Sequence, residues 1–129
     1  MKRFLIPIII VFFDQLTKFL SKDKHFFIVN YQENYGAAFS ILQGQLLIFI
    51  AVAILVIFLI FFYYNKVKYK IGLLFILGGT IGNLIDRIFL GLVRDFIDLK
   101  IWPVFNIADS ANVIGAAILA YYLIKTKNK

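Results

Sequence analysis

Residues 46–64 read LLIFIAVAILVIFLIFFYY and contain no charged residue, proline or glycine. As a helix this stretch would be about 28 Å long, close to the roughly 30 Å hydrocarbon core of a bilayer. Of the 129 residues, 62% are hydrophobic and only 16% are charged, more apolar than a soluble domain of this length. The stretch therefore predicts a helix that crosses a membrane.

Three further apolar segments accompany it, at about 4–20, 71–88 and 107–124. The first carries Asp14 and Lys18 and is weak as an isolated span. Its start also resembles a secretory signal peptide, but Asp14 and Lys18 follow where a small-residue cleavage site would lie. We therefore predict one all-α membrane domain over residues 1–129, a bundle of four transmembrane helices.

The two longer connections, 22–45 and 91–106, lie at the same end of this bundle. Phe26–Tyr31 is rich in strand-favouring residues and is followed by the break-prone Asn34–Gly36. The second connection has room for short strands only. We expect a small β-sheet at the outer surface of the membrane.

Charge differs between the two ends of such a bundle. The end made by both termini and the 65–70 turn holds eight cations and no acid: Lys2, Arg3, Lys66, Lys68, Lys70, Lys125, Lys127 and Lys129. The opposite end holds six cations and all seven acids: Asp14, Asp23, Glu33, Asp86, Asp95, Asp98 and Asp109. By the positive-inside rule, both termini are cytoplasmic. This arrangement explains the net charge of +7 better than nucleic-acid binding, because no basic face is interleaved with stacking aromatics.

Polar side chains recur at helical spacing in the third and fourth segments. They are Asn83, Asp86 and Arg87 on one and Asn106, Asp109 and Asn112 on the other. Such groups are costly at membrane depth and usually face a bundle interior. Polar contacts between helices, with Asn106 and Asp109 capping the fourth helix, would explain the same pattern without catalysis.

Small residues predict how these two helices meet. Gly78 and Gly82 form a GxxxG pair, and Ala111 and Gly115 form its small-residue equivalent. Both motifs allow close approach of helices. We expect the third and fourth helices to pack closely there and to bring their polar faces together.

Asp95 and Asp109 are the candidate catalytic pair, with 13 residues between them. A loop of that length can fold back and place the carboxyl groups side by side, so that one acts as acid and the other as base. Two unrelated surface aspartates would give the same spacing. Asp98 is a rival for either place, and we rank it lower because Asp95 has the apolar neighbours Val93 and Phe96.

Other chemistries have little support in the sequence. There is no cysteine, and the single histidine, His25, lies in a lysine-rich loop. A catalytic cysteine is therefore excluded, and we expect neither a metal site nor a cofactor.

Five blocks of sequence stand out in order along the chain. They are Asp14-Gln15-Leu16-Thr17-Lys18, Asn34-Tyr35-Gly36-Ala37-Ala38-Phe39-Ser40, Gly82-Asn83-Leu84-Ile85-Asp86-Arg87, Val93-Arg94-Asp95-Phe96 and Phe105-Asn106-Ile107-Ala108-Asp109-Ser110. As an ordered set they resemble the bacterial lipoprotein signal peptidases, the signal peptidase II family. They cover the chain from residue 14 to about residue 115. In one respect the chain departs from longer family members, because the stretch between the two aspartates is short.

The resemblance implies an aspartic endopeptidase of the bacterial cytoplasmic membrane. Its substrates would be prolipoproteins that carry a diacylglyceryl group on a cysteine, and it would cut just before that cysteine. Asp95 and Asp109 would be catalytic, near the outer membrane face. The residues expected to line or support the site are Asn34, Asn83, Arg87, Asn106, Asp14, Asp86 and Asn112. The family's substrate-cradling sheet would fall in residues 22–40 and part of 91–102.

Two other classes of protein remain as alternatives. A non-enzymatic helical subunit or assembly factor would use the polar groups only to pack helices. A rhomboid-like hydrolase would need a G-x-S-x-G motif, which the sequence lacks, and a histidine inside a span. We expect a monomer whose partners are the prolipoprotein substrate and membrane lipids, with no nucleic acid.

Overall fold

The structure, a computed structural model, describes residues 2–36 and 44–127. Its four α-helices are α1 (Leu5–Leu20), α2 (Leu46–Tyr63), α3 (Lys70–Leu90) and α4 (Ile107–Lys127). A short 3-10 helix, Lys2–Phe4, precedes α1. The predicted architecture of four helices with a small β-sheet is confirmed. Part of the second sequence block, residues 37–40, lies outside the described residues.

Three of the helices in the described part of the chain, α2, α3 and α4, are long and apolar enough to cross a membrane. Helix α1 has 16 residues and carries Asp14 and Lys18, both fully buried. Its charged groups are thus turned into the bundle, while apolar side chains such as Phe12 and Phe19 remain exposed. That division suits a helix with one face toward lipid and the other toward protein.

Helix α3 lies at the centre of the bundle and contacts the other three helices. Its small residues face two directions. A side-chain carbon at Gly78 would lie 2.8 Å from Ile10 of α1, whereas one at Gly72 would lie 2.8 Å from the backbone of Gly115 on α4. The expectation that Gly78 and Gly82 together form the contact with α4 is therefore wrong in part. Gly78 faces α1, whereas Gly72 and Gly79 are among the glycines of α3 that face α4.

Aromatic contacts bring the two ends of the chain together at one end of the bundle. Phe4 stacks on Tyr64 with ring centroids 5.2 Å apart, and Tyr69 stacks on Tyr122 at 3.6 Å. The start of α1, the turn between α2 and α3, and the end of α4 therefore share this end. The sheet lies with the opposite ends of α1 and α3.

The sheet has three antiparallel strands in the order β1 (His25–Phe26), β2 (Val29–Asn34) and β3 (Val93–Ile97). The strand-favouring run Phe26–Tyr31 is thus a hairpin and not a single strand. Its turn begins at Phe27, whose φ of 51° lies in the left-handed region.

The connection from β3 to α4 folds back on itself. Ile97 and Phe105 pair through backbone hydrogen bonds of 2.8 and 3.0 Å. This pairing brings the chain back to β3 before α4 begins at Ile107. The start of α4 consequently lies beside Asp95.

Candidate active site

Asn106 and Asp109 cap the first turn of α4 reciprocally. The backbone N–H of Asn106 donates to Oδ2 of Asp109 at 3.1 Å, and the N–H of Asp109 donates to Oδ1 of Asn106 at 2.8 Å. This is the geometry of a capping box, which satisfies N–H groups that have no partner within the helix. Capping therefore fixes where the Asp109 carboxylate and the Asn106 amide point.

The side-chain amide of Asn106 links this helix start to the other candidate aspartate. Its Nδ2 donates to Oδ1 of Asp95 at 2.8 Å and to Oδ1 of Asn83 at 3.0 Å. Nδ2 of Asn83 in turn donates to Oδ1 of Asp109 at 2.8 Å. Two asparagines from α3 and the start of α4 thus connect the two carboxyl groups in one hydrogen-bonded chain.

Asp95 projects from β3 into a buried environment, with 4% of its surface exposed. Its Oδ2 accepts a hydrogen bond of 3.1 Å from Nδ2 of Asn34 on β2. Burial, and next the negative charge of Asp109, raise the pKa of Asp95 to about 7, against the opposing hydrogen bonds from Asn34 and Asn106. Near neutral pH this carboxyl group can therefore hold or release a proton.

Both carboxyl groups open on one cavity of about 400 Å³. Its lining residues come from β2 and the bend after it, β3, α3, α4 and the loop before α4: Gln32, Glu33, Asn34, Gly36, Asn83, Arg87, Val93, Asp95, Trp102, Pro103, Val104, Phe105, Asp109, Asn112 and Val113. The guanidinium carbon of Arg87 lies 5.0 Å from the centre of the Phe49 ring. The cavity therefore combines three carboxyl groups, those of Asp95, Asp109 and Glu33, with one cation, amide groups and apolar walls.

Asn112 also lines this cavity, one turn further along α4 than Ala108. Its buried Oδ1 has no hydrogen-bond partner within the described residues. A side-chain carbon at Gly79 would lie only 2.5 Å from this oxygen. Glycine at position 79 is therefore what lets the Asn112 side chain fit between α3 and α4.

Asp14 and Asp86 lie behind the cavity and join separate elements. Oδ1 of Asp14 on α1 accepts a 2.8 Å hydrogen bond from the backbone N–H of Ala108, at the positive end of α4. Asp86 on α3 pairs with Arg94, whose Nη2 lies 2.8 Å from Oδ1 and whose backbone N–H donates to Oδ2 at 2.9 Å. Each aspartate thus ties a neighbouring element to the bundle.

Sequence reasoning missed three members of this network, Gln15, Lys18 and Arg94. Gln15 donates to Asp86 at 3.1 Å and accepts from Arg94 at 2.8 Å. Lys18 forms an ion pair of 2.7 Å with Asp14. The available signal for Lys18 was its position four residues after Asp14, on the same helix face. Arg94 gave no such signal, because its partner Asp86 lies in a different element.

Asp98, the rival of Asp95, is engaged elsewhere on the sheet. Its carboxylate accepts hydrogen bonds from Nδ2 of Asn30 at 3.0 Å and from the backbone N–H and Nζ of Lys100 at 2.8 and 2.6 Å. The Lys100 ammonium, with help from Asn30, lowers the pKa of Asp98 to about 2. A carboxylate held ionised in this way is poorly suited to donate a proton.

His25 contacts the same part of the sheet, with Nδ1 lying 2.7 Å from Oδ1 of Asn30. Among the residues that the structure describes, no group of three or more potential metal ligands comes together. The geometry therefore gives no reason to assign a metal role to His25.

Sequence comparisons with known proteins point to one family. Residues 6–125 match the family model described as signal peptidase (SPase) II. A lipoprotein signal peptidase of Caldanaerobacter subterraneus is 46% identical, with 89% of this chain and 90% of the relative covered. One of Halothermothrix orenii is 42% identical, with 93% of each covered.

A solved structure of a bacterial membrane enzyme superposes with a TM-score of 0.90 at 30% identity, covering 99% of this chain and 91% of that one. The structural similarity thus extends over the whole bundle and the sheet. The sequence similarity likewise covers nearly the full length of the chain. No comparison favours the alternatives of a non-enzymatic subunit or a rhomboid-like hydrolase. The chain belongs to the signal peptidase II family of membrane proteases.

Proposed function

We propose that this protein is an aspartic endopeptidase that removes the signal peptide of diacylglyceryl-modified prolipoproteins, cutting just before the lipidated cysteine. The observation that carries the proposal is the meeting of Asp95 and Asp109 at one cavity, joined through Asn106 and Asn83. The curated relatives are named lipoprotein signal peptidases, which supports this class of substrate.

In the proposed reaction the two carboxyl groups share one proton. Asp95, with its pKa near 7, is the protonated member, and Asp109 at the positive end of α4 is the ionised one. Asp109 removes a proton from a water that attacks the scissile carbonyl carbon, while Asp95 protonates the carbonyl oxygen. When the intermediate collapses, the C–N bond breaks and the leaving nitrogen takes the proton held by Asp109. Asp95 takes back a proton from one hydroxyl of the intermediate, so a carboxylic acid product forms and the pair returns to its starting state.

The surrounding residues have supporting roles in this proposal. Asn34, Asn83 and Asn106 orient the two carboxyl groups through the hydrogen bonds they donate. Arg87 places a positive charge at the cavity wall, where peptide carbonyl groups would enter. Asp14 and Asp86 hold α1, α3, β3 and α4 in their relative positions. Asn112 lines the cavity. One chain supplies both carboxyl groups, so a monomer is sufficient for catalysis.

The pH–rate profile tests the shared proton. We expect a bell shape, because activity needs one protonated and one ionised carboxyl group. Since the pKa of Asp95 is about 7, the basic limb should fall near neutral pH as that proton is lost. Initial cleavage rates of the purified protein between pH 4 and 9, with folding checked at each pH, give the profile. A rate that rises steadily through neutral pH would point to a single general base instead.

We further propose that the protein lies in the bacterial cytoplasmic membrane with both termini in the cytoplasm and the cavity near the outer face. The uneven division of charge supports this orientation. The aromatic contacts of Phe4 with Tyr64 and of Tyr69 with Tyr122 support it too, because they place both termini and the 65–70 turn at one end. A precursor whose signal helix is still embedded could then reach the cavity from within the bilayer.

Single-cysteine labelling tests the orientation in this cysteine-free chain. In intact cells a membrane-impermeant thiol reagent should label Lys24→Cys, in an exposed position of the outer connection, and should not label Lys68→Cys. Opening the cells should make both positions reactive. Labelling of Lys68→Cys from outside would overturn the orientation.

A further inference from the structure

Lys18 is a fully buried cation whose contacts go beyond ion pairing. Its Nζ lies 2.7 Å from Oδ2 of Asp14 and 3.4 Å from Oδ2 of Asp86. Two carboxylates would be enough to compensate the burial of one ammonium group. The ammonium nevertheless makes a third contact, donating to Oδ1 of Asn83 at 3.0 Å.

This third contact fixes which way the Asn83 amide points. An ammonium group can only donate hydrogen bonds, so it faces the amide oxygen and leaves the NH₂ group on the other side. There Nδ2 of Asn83 donates to Oδ1 of Asp109 at 2.8 Å. Asn106 also donates to the Asn83 oxygen, but of these two donors only Lys18 is charged.

We propose that Lys18 is a positioning residue of the catalytic pair, which acts through Asn83 to keep Asp109 a hydrogen-bond acceptor and thus the ionised member. This inference rests on the proposed function of Asp95 and Asp109. A charged donor polarises the amide and strengthens the hydrogen bond on its far side. An Asn83 NH₂ group that points at Asp109 favours a carboxylate there over a protonated acid.

Charged groups face Asp109 from every element around it. They are Asp14 and Lys18 on α1, Arg87 on α3 and Asp95 on β3. In the network behind the cavity, Lys18 and Arg94 balance Asp14 and Asp86. Removing Lys18 alone would therefore leave a buried negative charge without a partner and harm folding.

A charge-balanced variant avoids that problem. Lys18→Met combined with Asp14→Asn removes one charge of each sign, and the new asparagine keeps an oxygen for the Ala108 N–H. Lys18 does not line the cavity, so substrate binding should be retained. We expect kcat to fall by about 10- to 100-fold with KM unchanged. Relative to Asp14→Asn alone, the acidic limb of the pH–rate profile should move up by about one pH unit.

Two controls isolate the contribution of Lys18. Asp14→Asn alone shows what the loss of that acid does to the profile. Lys24→Met removes an exposed lysine from the same part of the chain and should leave kcat and the profile unchanged. A folded double variant with the kcat and the acidic limb of Asp14→Asn alone would overturn the inference.

If the methionine variant does not fold, Lys18→Gln with Asp14→Asn provides a second test. Its amide can still donate to Asn83 but carries no charge, so we expect a smaller fall in kcat with the acidic limb still shifted upward. An unshifted limb would overturn the inference. Should Asp95→Asn and Asp109→Asn prove active, the proposed function itself fails. If both are inactive while the Lys18 variants keep the wild-type profile, only the role of Lys18 fails.

Discussion

Replacement of either Asp95 or Asp109 by asparagine should lower the cleavage rate by about a thousandfold or more while the protein stays folded and inserted. An amide cannot take a proton from water and cannot supply one to the carbonyl oxygen. The amide has the same size as the acid, but its single oxygen can accept from only one of the two donors at position 109, the N–H of Asn106 or the NH₂ group of Asn83. At position 95 one of two accepted hydrogen bonds is lost, because both carboxylate oxygens accept from asparagine NH₂ groups.

Asp98→Asn is the matched control for this experiment. It makes the same chemical change three residues from Asp95, in a carboxylate that contacts Asn30 and Lys100. We expect it to keep substantial activity. The rates of all three variants are compared as purified proteins, with thermal unfolding measured beside them. An inactive Asp98→Asn together with an active Asp95→Asn would show that the pair has been misassigned.

Removal of the diacylglyceryl group from the precursor should lower turnover, by on the order of a hundredfold, as well as weaken apparent affinity. The cavity is continuous with an apolar surface, since Val113 both lines it and is 69% exposed. Acyl chains lying along that surface would position the adjacent peptide bond at Asp95 and Asp109. Binding energy used for positioning appears in kcat and not only in KM.

The comparison uses one precursor sequence prepared with and without the lipid, at equal detergent and protein concentrations. Inhibition of cleavage by added diacylglyceryl-cysteine peptide, with the unlipidated peptide as control, would show that the lipid itself is recognised. Equal cleavage of both precursors would leave a membrane aspartic peptidase but remove the lipoprotein assignment.

The helices could be predicted closely because hydropathy is a local property of the chain. Residues 46–64 were predicted to span, and α2 runs from Leu46 to Tyr63. For Asn106, the neighbouring residues in the sequence suggest two different roles. The sequence leaves capping and site support as alternatives, whereas in the structure both hold: its backbone and Oδ1 cap α4 while its Nδ2 binds Asp95.

What the sequence did not show depends on contacts between distant residues. Arg94 pairs with Asp86 only because the chain turns at Gly91, whose φ of 72° ends α3, and then returns as β3. The direction in which Gly78 faces depends on where α1 packs, which no spacing within α3 can reveal. The turn at Phe27 was hidden because its residues favour strands as much as their neighbours do.

The masses of the products formed from one purified, lipidated precursor test the central claim most directly. With the wild-type protein we expect a single cut, giving a free signal peptide and a mature fragment that begins with the diacylglyceryl-modified cysteine. With Asp109→Asn under the same conditions we expect intact precursor. Cleavage at another bond, or the same two products from the variant, would contradict the assignment of Asp95 and Asp109 as the pair that releases prolipoprotein signal peptides.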